Sequence, residues 1–304
     1  MTLKEFKEDF TRFIAFSIYP VITIYGYYVM IGIYTLDSKR FRSMWVLSVF
    51  LIYHFILLYI LIFYTRIIST DEVSTINLFP HLRREVAYLN LYDINPFIGD
   101  EINRKQLKRF KTCDKCRTYK PPRTHHCSIC NKCYLKMDHH CALLDCCIGF
   151  HNYKAFYIFL FLNCVLNIYN IVVLMIELLG GDSERKFDAY YITCIILYAI
   201  ELVVFISFFI LHTWLIFNNE TTIEYQAIND YLQGVNMHRN VFQEGPLTGN
   251  TMIRDRKLLN PYNLGYSENW TQVFGTRIID WFLPTFSSVG DGVSFHKNTV
   301  NQEE

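Results

Sequence analysis

Eight of the ten cysteines and four of the ten histidines lie within the 35 residues from Cys113 to Cys147. Two Cys-x2-Cys pairs occur there, and each is followed, ten residues after its second cysteine, by a histidine and then by a further cysteine. Thiolates and imidazoles at such spacings are typical of tetrahedral zinc sites, whereas calcium and magnesium prefer oxygen ligands. The spacing predicts two structural zinc ions, the first held by Cys113, Cys116, His126 and Cys133 and the second by Cys127, Cys130, His140 and Cys147.

The metal assignment leaves Cys141 and Cys146 without a ligand role. Cys141 ends the run Asp138-His139-His140-Cys141, so a carboxylate, an imidazole and a thiol lie within four residues. These are the groups that nucleophilic thiol chemistry uses. A purely structural zinc scaffold is the alternative. A nucleic-acid-binding finger is disfavoured, because no helix with a His-x3-His pattern follows the cysteines.

Four apolar segments frame this region. Residues 13–36, 44–64 and 155–176 carry no Asp, Glu, Lys or Arg, and residues 189–217 carry only Glu201. At about 1.5 Å of rise per residue, each segment can cross a hydrocarbon core of roughly 30 Å. The sequence therefore predicts an all-α integral membrane protein with four transmembrane helices and a cytosolic, zinc-bound Cys-rich loop between helices 2 and 3. Buried helices of a large soluble protein are disfavoured, because such helices seldom exclude charge four times over.

Most of the positive charge falls on one side of these spans. With four spans, the N-terminus, the Cys-rich region and the C-terminus share a side, and they hold 24 of the 29 Lys and Arg. This distribution favours the cytosol for that side, and metal-binding or nucleophilic thiols need a reducing compartment. We therefore expect a multi-pass protein of the endomembrane system (endoplasmic reticulum, Golgi, vacuole or plasma membrane), with both termini and the candidate active site in the cytosol.

The Cys-rich segment resembles the DHHC family of integral-membrane protein S-acyltransferases (palmitoyltransferases). The resemblance is close from Cys113 to Phe156 and includes the run Lys120-Pro121-Pro122-Arg123. After the fourth span, Thr221-Thr222-Ile223-Glu224 is similar to the Thr-Thr-x-Glu motif of that family, and the segment that begins Asn260-Pro261-Tyr262 is similar to its C-terminal motif.

The resemblance implies that Cys141 is the acylated nucleophile, that His139 is the general base, and that Asp138 orients His139. It also implies a reaction in two steps: palmitoyl-CoA or a similar acyl-CoA acylates Cys141, and a cytosolic cysteine of a membrane-associated protein then takes the acyl group. Lys120 and Arg123 are predicted contacts for the CoA phosphates, with a solvated basic face as the alternative. The lipid bilayer is the other expected partner, and no nucleic acid is expected.

The chain departs from the family pattern just after the nucleophile. Ala142-Leu143 stands where the family usually has Pro-Trp, and Asp145-Cys146 stands where it usually has an Asn pair. These departures affect the expected rate and acyl preference more than the reaction class. Two other function classes stay open. One is a zinc-stabilised membrane adaptor that has lost turnover. The other is a four-helix channel or transporter, for which the only support is Glu201 and the shared helix face of Asn163, Asn167 and Asn170.

The predicted organisation has five parts. Residues 1–64 form the N-terminal segment with helices 1 and 2, and residues 65–154 form a cytosolic connector with the Cys-rich zinc domain. Helices 3 and 4 occupy residues 155–217. Residues 218–286 form a cytosolic region with the Thr-Thr-x-Glu and Asn-Pro-Tyr motifs, and composition predicts a disordered tail from residue 287 to residue 304.

Overall fold

The structure is a computed structural model that describes residues 16–36, 44–70, 73–79, 112–180, 187–235, 241–242 and 256–298. Much of the predicted connector, residues 80–111, lies outside the described residues. In chain order the elements are α1 (Phe16–Leu36), α2 (Met44–Ile68), α3 (Thr75–Leu78), β1 (Thr112–Cys113), β2 (Thr118–Tyr119), β3 (His125–Cys127), β4 (Lys132–Tyr134), β5 (His139–Cys141), β6 (Cys146–Ile148), α4 (Tyr153–Leu179), α5 (Asp188–Asn218), α6 (Thr222–Leu232), α7 (Arg256–Leu259), α8 (Tyr266–Phe274) and α9 (Ile278–Phe282).

Four of these helices, α1, α2, α4 and α5, are long and apolar enough to cross a membrane. They coincide with the four predicted spans, and the Cys-rich strands lie between α2 and α4. Large apolar side chains on them are exposed, as at Phe55, which is 70 % exposed, and Val203, which is 64 % exposed. Apolar side chains on the outside of a long helix suit hydrocarbon rather than water. The predicted four-span, largely helical architecture is thereby confirmed.

The chain divides into two compact units. The first comprises Met1–Arg66, Cys141–Asp145 and Ala155–His212, and it therefore holds most of the four spans. The second comprises Ile67–His140, Cys146–Lys154 and Thr213–Glu304.

Polar side chains join the helices inside the first unit. The Tyr19 hydroxyl of α1 donates to Asn163 Oδ1 of α4 at 2.9 Å. One turn further along α4, the Asn167 side chain is hydrogen-bonded to the carboxyl group of Glu201 on α5. Asn163 and Asn167 are each 2 % exposed. Polar groups away from water need such partners, so these asparagines serve as contacts between helices.

The strands that the structure describes form three two-stranded sheets, β1–β2, β3–β4 and β5–β6. In the central hairpin the antiparallel register pairs His126 with Cys133. The turns before β2, β4 and β6 contain Arg117, Asn131 and Asp145, each with a positive φ near 50°. Asn and Asp tolerate this left-handed conformation better than other side chains with a Cβ atom. Asp145, one of the departures from the family pattern, therefore suits its turn.

Residues 287–298 belong to the segment that composition predicts to be disordered, and they form hydrogen bonds with other residues of the second unit. The Ser287 and Ser288 hydroxyls donate to the Phe274 and Val273 carbonyls at 2.9 and 3.0 Å. The Asn298 amide donates to the Pro261 carbonyl at 2.8 Å. The acceptors are backbone carbonyls, which every residue type provides, so amino-acid composition could not predict these hydrogen bonds.

Candidate metal centres and thiol site

The first predicted metal set comes together as a cluster. The ligand atoms of Cys113, Cys116, His126 and Cys133 all lie within 4.8 Å of one another. The imidazole presents Nδ1 to the sulfurs, at 3.7 Å from Cys113 Sγ, 3.2 Å from Cys116 Sγ and 3.8 Å from Cys133 Sγ. The Cys116 amide also donates to Cys113 Sγ at 3.5 Å, which stabilises a thiolate there.

The second predicted set forms an equivalent cluster from Cys127, Cys130, His140 and Cys147. His140 Nδ1 lies 3.4 Å from Cys130 Sγ and 3.7 Å from Cys147 Sγ. The two sulfurs are 3.6 Å apart and are free thiols rather than a disulfide. Both clusters can therefore hold a metal ion, with the pairing that the spacing predicts.

The hairpin β3–β4 contributes to both clusters. His126 and Cys127 are consecutive residues of β3, and successive side chains of a strand point to opposite faces. His126 therefore joins the first cluster while Cys127 joins the second. This shared strand explains why the two ligand sets are interleaved in the sequence.

Asp138 is completely buried and lies beside His139. Its Oδ2 atom is 2.6 Å from His139 Nδ1, and its other carboxylate oxygen accepts from the Thr222 amide at 3.0 Å. The Thr222 hydroxyl also donates to the Asp138 carbonyl. An ionised carboxylate can only accept, so the imidazole places its proton on Nδ1, and Nε2 is then the ring nitrogen that can accept a proton.

Arg123 forms a buried ion pair with Glu224 of α6. The guanidinium Nε and NH2 groups each donate to one carboxylate oxygen, both at 2.7 Å, and both side chains are 1 % exposed. Glu224 also belongs to a capping box, because its carboxylate accepts from the Thr221 amide at 2.8 Å. Burial alone would raise the pKa of Glu224, but the charge and hydrogen bonds of Arg123 lower this pKa below its ordinary value.

Asn219, the residue after α5, connects three segments of the second unit. It adopts a positive φ of 47°, and its Oδ1 atom accepts from Arg123 at 3.0 Å and from Lys136 at 3.1 Å. Its Nδ2 atom donates to the Tyr262 carbonyl at 2.8 Å. Burial and the Arg123 charge lower the pKa of Lys136 to about 7. Asn219 therefore ties the Cys-rich domain to the end of the fourth span and to the C-terminal motif.

The remaining candidate residues occupy different environments. Cys141 is the last residue of β5 and is 9 % exposed, and Lys120 is half-buried in the second unit. Leu143, two residues after Cys141, lines a cavity of about 270 Å³ between α1 and α2 in the first unit. The other lining residues are apolar, aromatic or hydroxyl-bearing: Phe16, Tyr19, Pro20, Thr23, Ile24, Leu57, Ile60, Leu61 and Tyr64.

Comparison with known proteins supports this description. The profile of the DHHC palmitoyltransferase family matches residues 106–229, which include both metal clusters, the run from Asp138 to Cys141 and the motif from Thr221 to Glu224. These residues belong to the DHHC palmitoyltransferase family. We call residues 106–229 the DHHC domain.

Curated relatives align over more than the DHHC domain. The human protein "Palmitoyltransferase ZDHHC20" is 36 % identical over 202 residues, which are 64 % of this chain and 49 % of that protein. Rat "Palmitoyltransferase ZDHHC2" is 38 % identical over 199 residues, 63 % of this chain and 47 % of the relative. "Probable protein S-acyltransferase 16" of Arabidopsis thaliana is 34 % identical over 201 residues, 64 % of each chain. The chain thus matches about half the length of the two mammalian relatives.

Three polar residues of the DHHC domain could not be identified from the sequence. Asn219 and Lys136 carry no catalytic signature, and Lys154 reads as an ordinary cation at the start of a span. The motif from Thr221 to Glu224 gave a partial signal, because it is polar and directly follows a membrane helix. Nothing in the sequence indicates that Glu224 of this motif pairs with Arg123, which lies 101 residues earlier.

We expect Glu224→Gln to destabilise the DHHC domain by about 3–5 kcal/mol, because it leaves the buried Arg123 charge uncompensated. Glu220→Gln is the matched control. Glu220 also pairs with an arginine at 2.7 Å, but the Arg256 side chain is 23 % exposed, so a smaller loss is expected. Thermal unfolding of the purified protein in detergent measures both. Equal losses in the two variants would contradict the proposed importance of burial.

The Arg123–Glu224 ion pair also predicts how the stability of the protein changes with pH. Because the pKa of Glu224 is lowered in the folded protein, its contribution to stability is present above the ordinary glutamate range, near pH 4.3, and is lost as pH falls through the folded-state value. Glu224→Gln should therefore flatten the acid side of the stability profile.

Proposed function

We propose that this chain is a protein S-acyltransferase that moves a long-chain acyl group, palmitoyl above all, from acyl-CoA to cysteines of substrate proteins. The observation that carries this proposal is the thiol of Cys141. It lies outside both four-residue metal clusters, and it follows by two residues an imidazole that is held by a buried carboxylate. The family of residues 106–229 and the names of the relatives support the same reaction class.

The reaction is a pair of thioester exchanges. In the first, Cys141 Sγ attacks the acyl carbonyl carbon, the new C–S bond forms, and the bond to the CoA sulfur breaks. His139 Nε2 takes the thiol proton and returns it to the leaving CoA thiolate. In the second, a substrate cysteine attacks the acyl-Cys141 thioester and restores the thiol. Asp138 keeps the imidazole oriented through Nδ1 in both steps.

The strand geometry supports this division of roles. Side chains two residues apart on a strand point to the same face, so β5 directs His139 and Cys141 one way and the ligand His140 the other way. His140 can therefore hold a metal ion while its two neighbours carry out the proton transfer and the nucleophilic attack.

Zinc is the metal that we propose for both clusters. Zn–S and Zn–N bonds of about 2.3 and 2.0 Å in a tetrahedron separate the ligand atoms by roughly 3.5–3.8 Å, and the observed separations of 3.2–3.8 Å fit that geometry. When bound there, zinc supplies folding free energy to a small domain of short strands. The protein's own contribution is to place the ligand His140 in the middle of β5, between His139 and Cys141.

Lys120 is our proposed contact for the CoA phosphates, because it lies in the DHHC domain and is not fully buried. A phosphate contact at Arg123 stays a prediction. It would require the guanidinium to leave Glu224 and to abandon a buried carboxylate. Arg123 serves the proposed reaction better by fixing Glu224, which caps the N-terminus of α6, where the Thr222 amide donates to Asp138.

We place the DHHC domain and both chain ends on the cytosolic side of an endomembrane. Positive charge is concentrated on that side, and eight cysteines there remain thiols. Protease protection of terminal epitope tags in sealed microsomes tests this orientation. Tags that survive intact, with the membrane unbroken, would contradict it.

Acyl transfer is tested directly by incubating the purified protein with radiolabelled palmitoyl-CoA. The expected result is a label that resists denaturation, is released by neutral hydroxylamine and maps to the peptide containing Cys141. A stable label elsewhere would contradict the assigned nucleophile. No label with any acyl-CoA, in protein that retains two metal ions, would favour the adaptor alternative.

We expect Leu143→Trp to narrow the range of acyl chains that the protein accepts. Leu143 lines the 270 Å³ cavity between α1 and α2, and the larger indole would occupy part of that space. Long chains should then be disfavoured relative to short ones, and misplacement by about 1 Å can lower the rate about a hundredfold. Self-acylation with a series of acyl-CoA lengths measures the change.

The control for this experiment is Ile129→Trp, an equally large substitution at a position that is 43 % exposed and lies outside the cavity lining. It should preserve the chain-length profile of the parent protein. If both variants kept that profile, the cavity would not receive the acyl chain.

A further inference from the structure

The short helix α9 exposes its apolar side chains and buries its acid. Ile278, Ile279 and Phe282 are 65 %, 63 % and 63 % exposed, whereas Asp280 is only 9 % exposed. A helix on a water-facing surface shows the reverse pattern, with polar residues outside and apolar residues inside. The apolar surface continues along the chain into Leu283 and Phe286, each 40 % exposed. We call Ile278, Ile279, Phe282, Leu283 and Phe286 the exposed apolar segment.

This inverted pattern is built into the local fold. The Arg277 guanidinium binds both carboxylate oxygens of Asp280, at 2.7 and 2.9 Å, and so fixes the inward direction of the acid. Gly275 caps the C-terminus of α8 with a φ of 80°. A Cβ atom there would lie 2.7 Å from the Ser287 carbonyl oxygen, so only glycine fits. The exposed apolar segment is therefore held outward.

Two contacts place this region beside the ends of two membrane spans. The Asn269 side chain of α8 donates to the carbonyl of Phe217, near the end of α5, at 2.7 Å, and the rings of Tyr266 and Trp270 lie 5.7 and 5.8 Å from the Phe217 ring. Carbonyls at the end of a helix lack internal partners, so Asn269 also satisfies one of them.

The second contact is at the first turn of α4. Lys154 is 6 % exposed, and its ammonium donates to the carbonyls of Asp280 and Thr285 at 2.6 and 2.7 Å and to the Ser287 hydroxyl at 2.8 Å. A buried ammonium group with three oxygen acceptors holds residues 280–287 firmly to the start of α4. The exposed apolar segment thus lies where α4 begins and where α5 ends.

We propose that the exposed apolar segment is inserted into the boundary between lipid headgroups and acyl chains, as a membrane contact additional to the four spans. Removing apolar surface from water is favourable, and amphipathic segments at this depth achieve it by burying that surface in lipid. Trp270 of α8 and Trp281 of α9, whose ring centroids lie 5.7 Å apart, are of a residue type that is typical of this boundary. The bilayer is favoured over a protein partner because both attachments are to the ends of membrane spans.

The experiment uses the full-length protein as monomers in phospholipid nanodiscs. One sample contains a phospholipid with a diazirine in its acyl chain, and a second receives a water-soluble diazirine. After photolysis, peptide mass spectrometry compares residues 278–286 with two internal references. Phe55, on the lipid-exposed surface of α2, is the membrane reference, and Asp291, an exposed acid of the C-terminal segment, is the aqueous reference.

Residues 278–286 should take the lipid reagent at a level close to that of Phe55 and several-fold above that of Asp291, with the order reversed for the soluble reagent. Ile279→Asn should lower lipid labelling of this peptide several-fold, whereas Ile129→Asn, on the surface of the DHHC domain, should leave it unchanged. Labelling of residues 278–286 by the soluble reagent at the level of Asp291 would overturn the proposal and leave the surface for a protein partner.

Discussion

Replacing Cys141 with serine is expected to abolish the acyl-enzyme completely while the protein keeps its full metal content. Serine retains the size of the side chain but not the nucleophilicity of sulfur, and Cys141 belongs to neither of the two metal clusters. Cys146→Ser is the matched control, because Cys146 is also a buried thiol outside both clusters and lies five residues away.

The measurement combines hydroxylamine-sensitive labelling with metal analysis of the same preparations. We expect no label and parental metal content for Cys141→Ser, and label with parental metal content for Cys146→Ser. Loss of about one metal ion per chain in Cys141→Ser would mean that Cys141 is a ligand. A persistent label would move the nucleophile elsewhere.

The second large effect is expected for Cys133→Ala, which removes one of the four ligands of the first cluster. Structural zinc contributes about 10–16 kcal/mol to the folding of small domains, so even partial loss of this contribution exceeds the stability of a short-stranded domain. Cys133 is completely buried at the register position opposite His126.

We expect Cys133→Ala protein to lose metal, to give little folded material and to form no acyl-enzyme. Cys164→Ala serves as control, since Cys164 is a buried thiol of α4 that is not a ligand. Metal content, yield after size-exclusion chromatography and self-acylation are measured together. Folded Cys133→Ala protein with two metal ions would show that the ligand pairing is different.

Features that repeat along the sequence could be predicted from it. Length and absence of charge located the four spans, although α4 and α5 extend a few residues beyond the apolar segments, to Tyr153–Leu179 and Asp188–Asn218. The two metal sets were also predictable, because ligand types and a ten-residue spacing recur and metal geometry leaves few alternatives.

Features that depend on a distant partner could not be predicted. Arg123 reads as a phosphate contact or as part of a solvated basic face until Glu224, 101 residues later, is placed beside it. Residues 287–298 read as polar and irregular, yet Ser287 and Ser288 donate to carbonyls of α8 and Ser287 also accepts from the ammonium of Lys154. Such contacts depend on tertiary structure, and a single sequence does not record which polar groups meet.

The separation of Asp138 and Thr222 along the sequence also sets an order of events during synthesis. Thr222, which supplies the amide donor to the Asp138 carboxylate, follows it by 84 residues. At about 5–20 residues per second, roughly 4–17 s separate the two on the ribosome. Both metal-ligand sets are complete once Cys147 has been made, whereas Asp138 waits for a residue beyond the fourth span. The nascent chain thus contains all its metal ligands and Cys141 before Thr222 can bind Asp138 and fix the orientation of His139. That orientation is completed only after the fourth span has been synthesised.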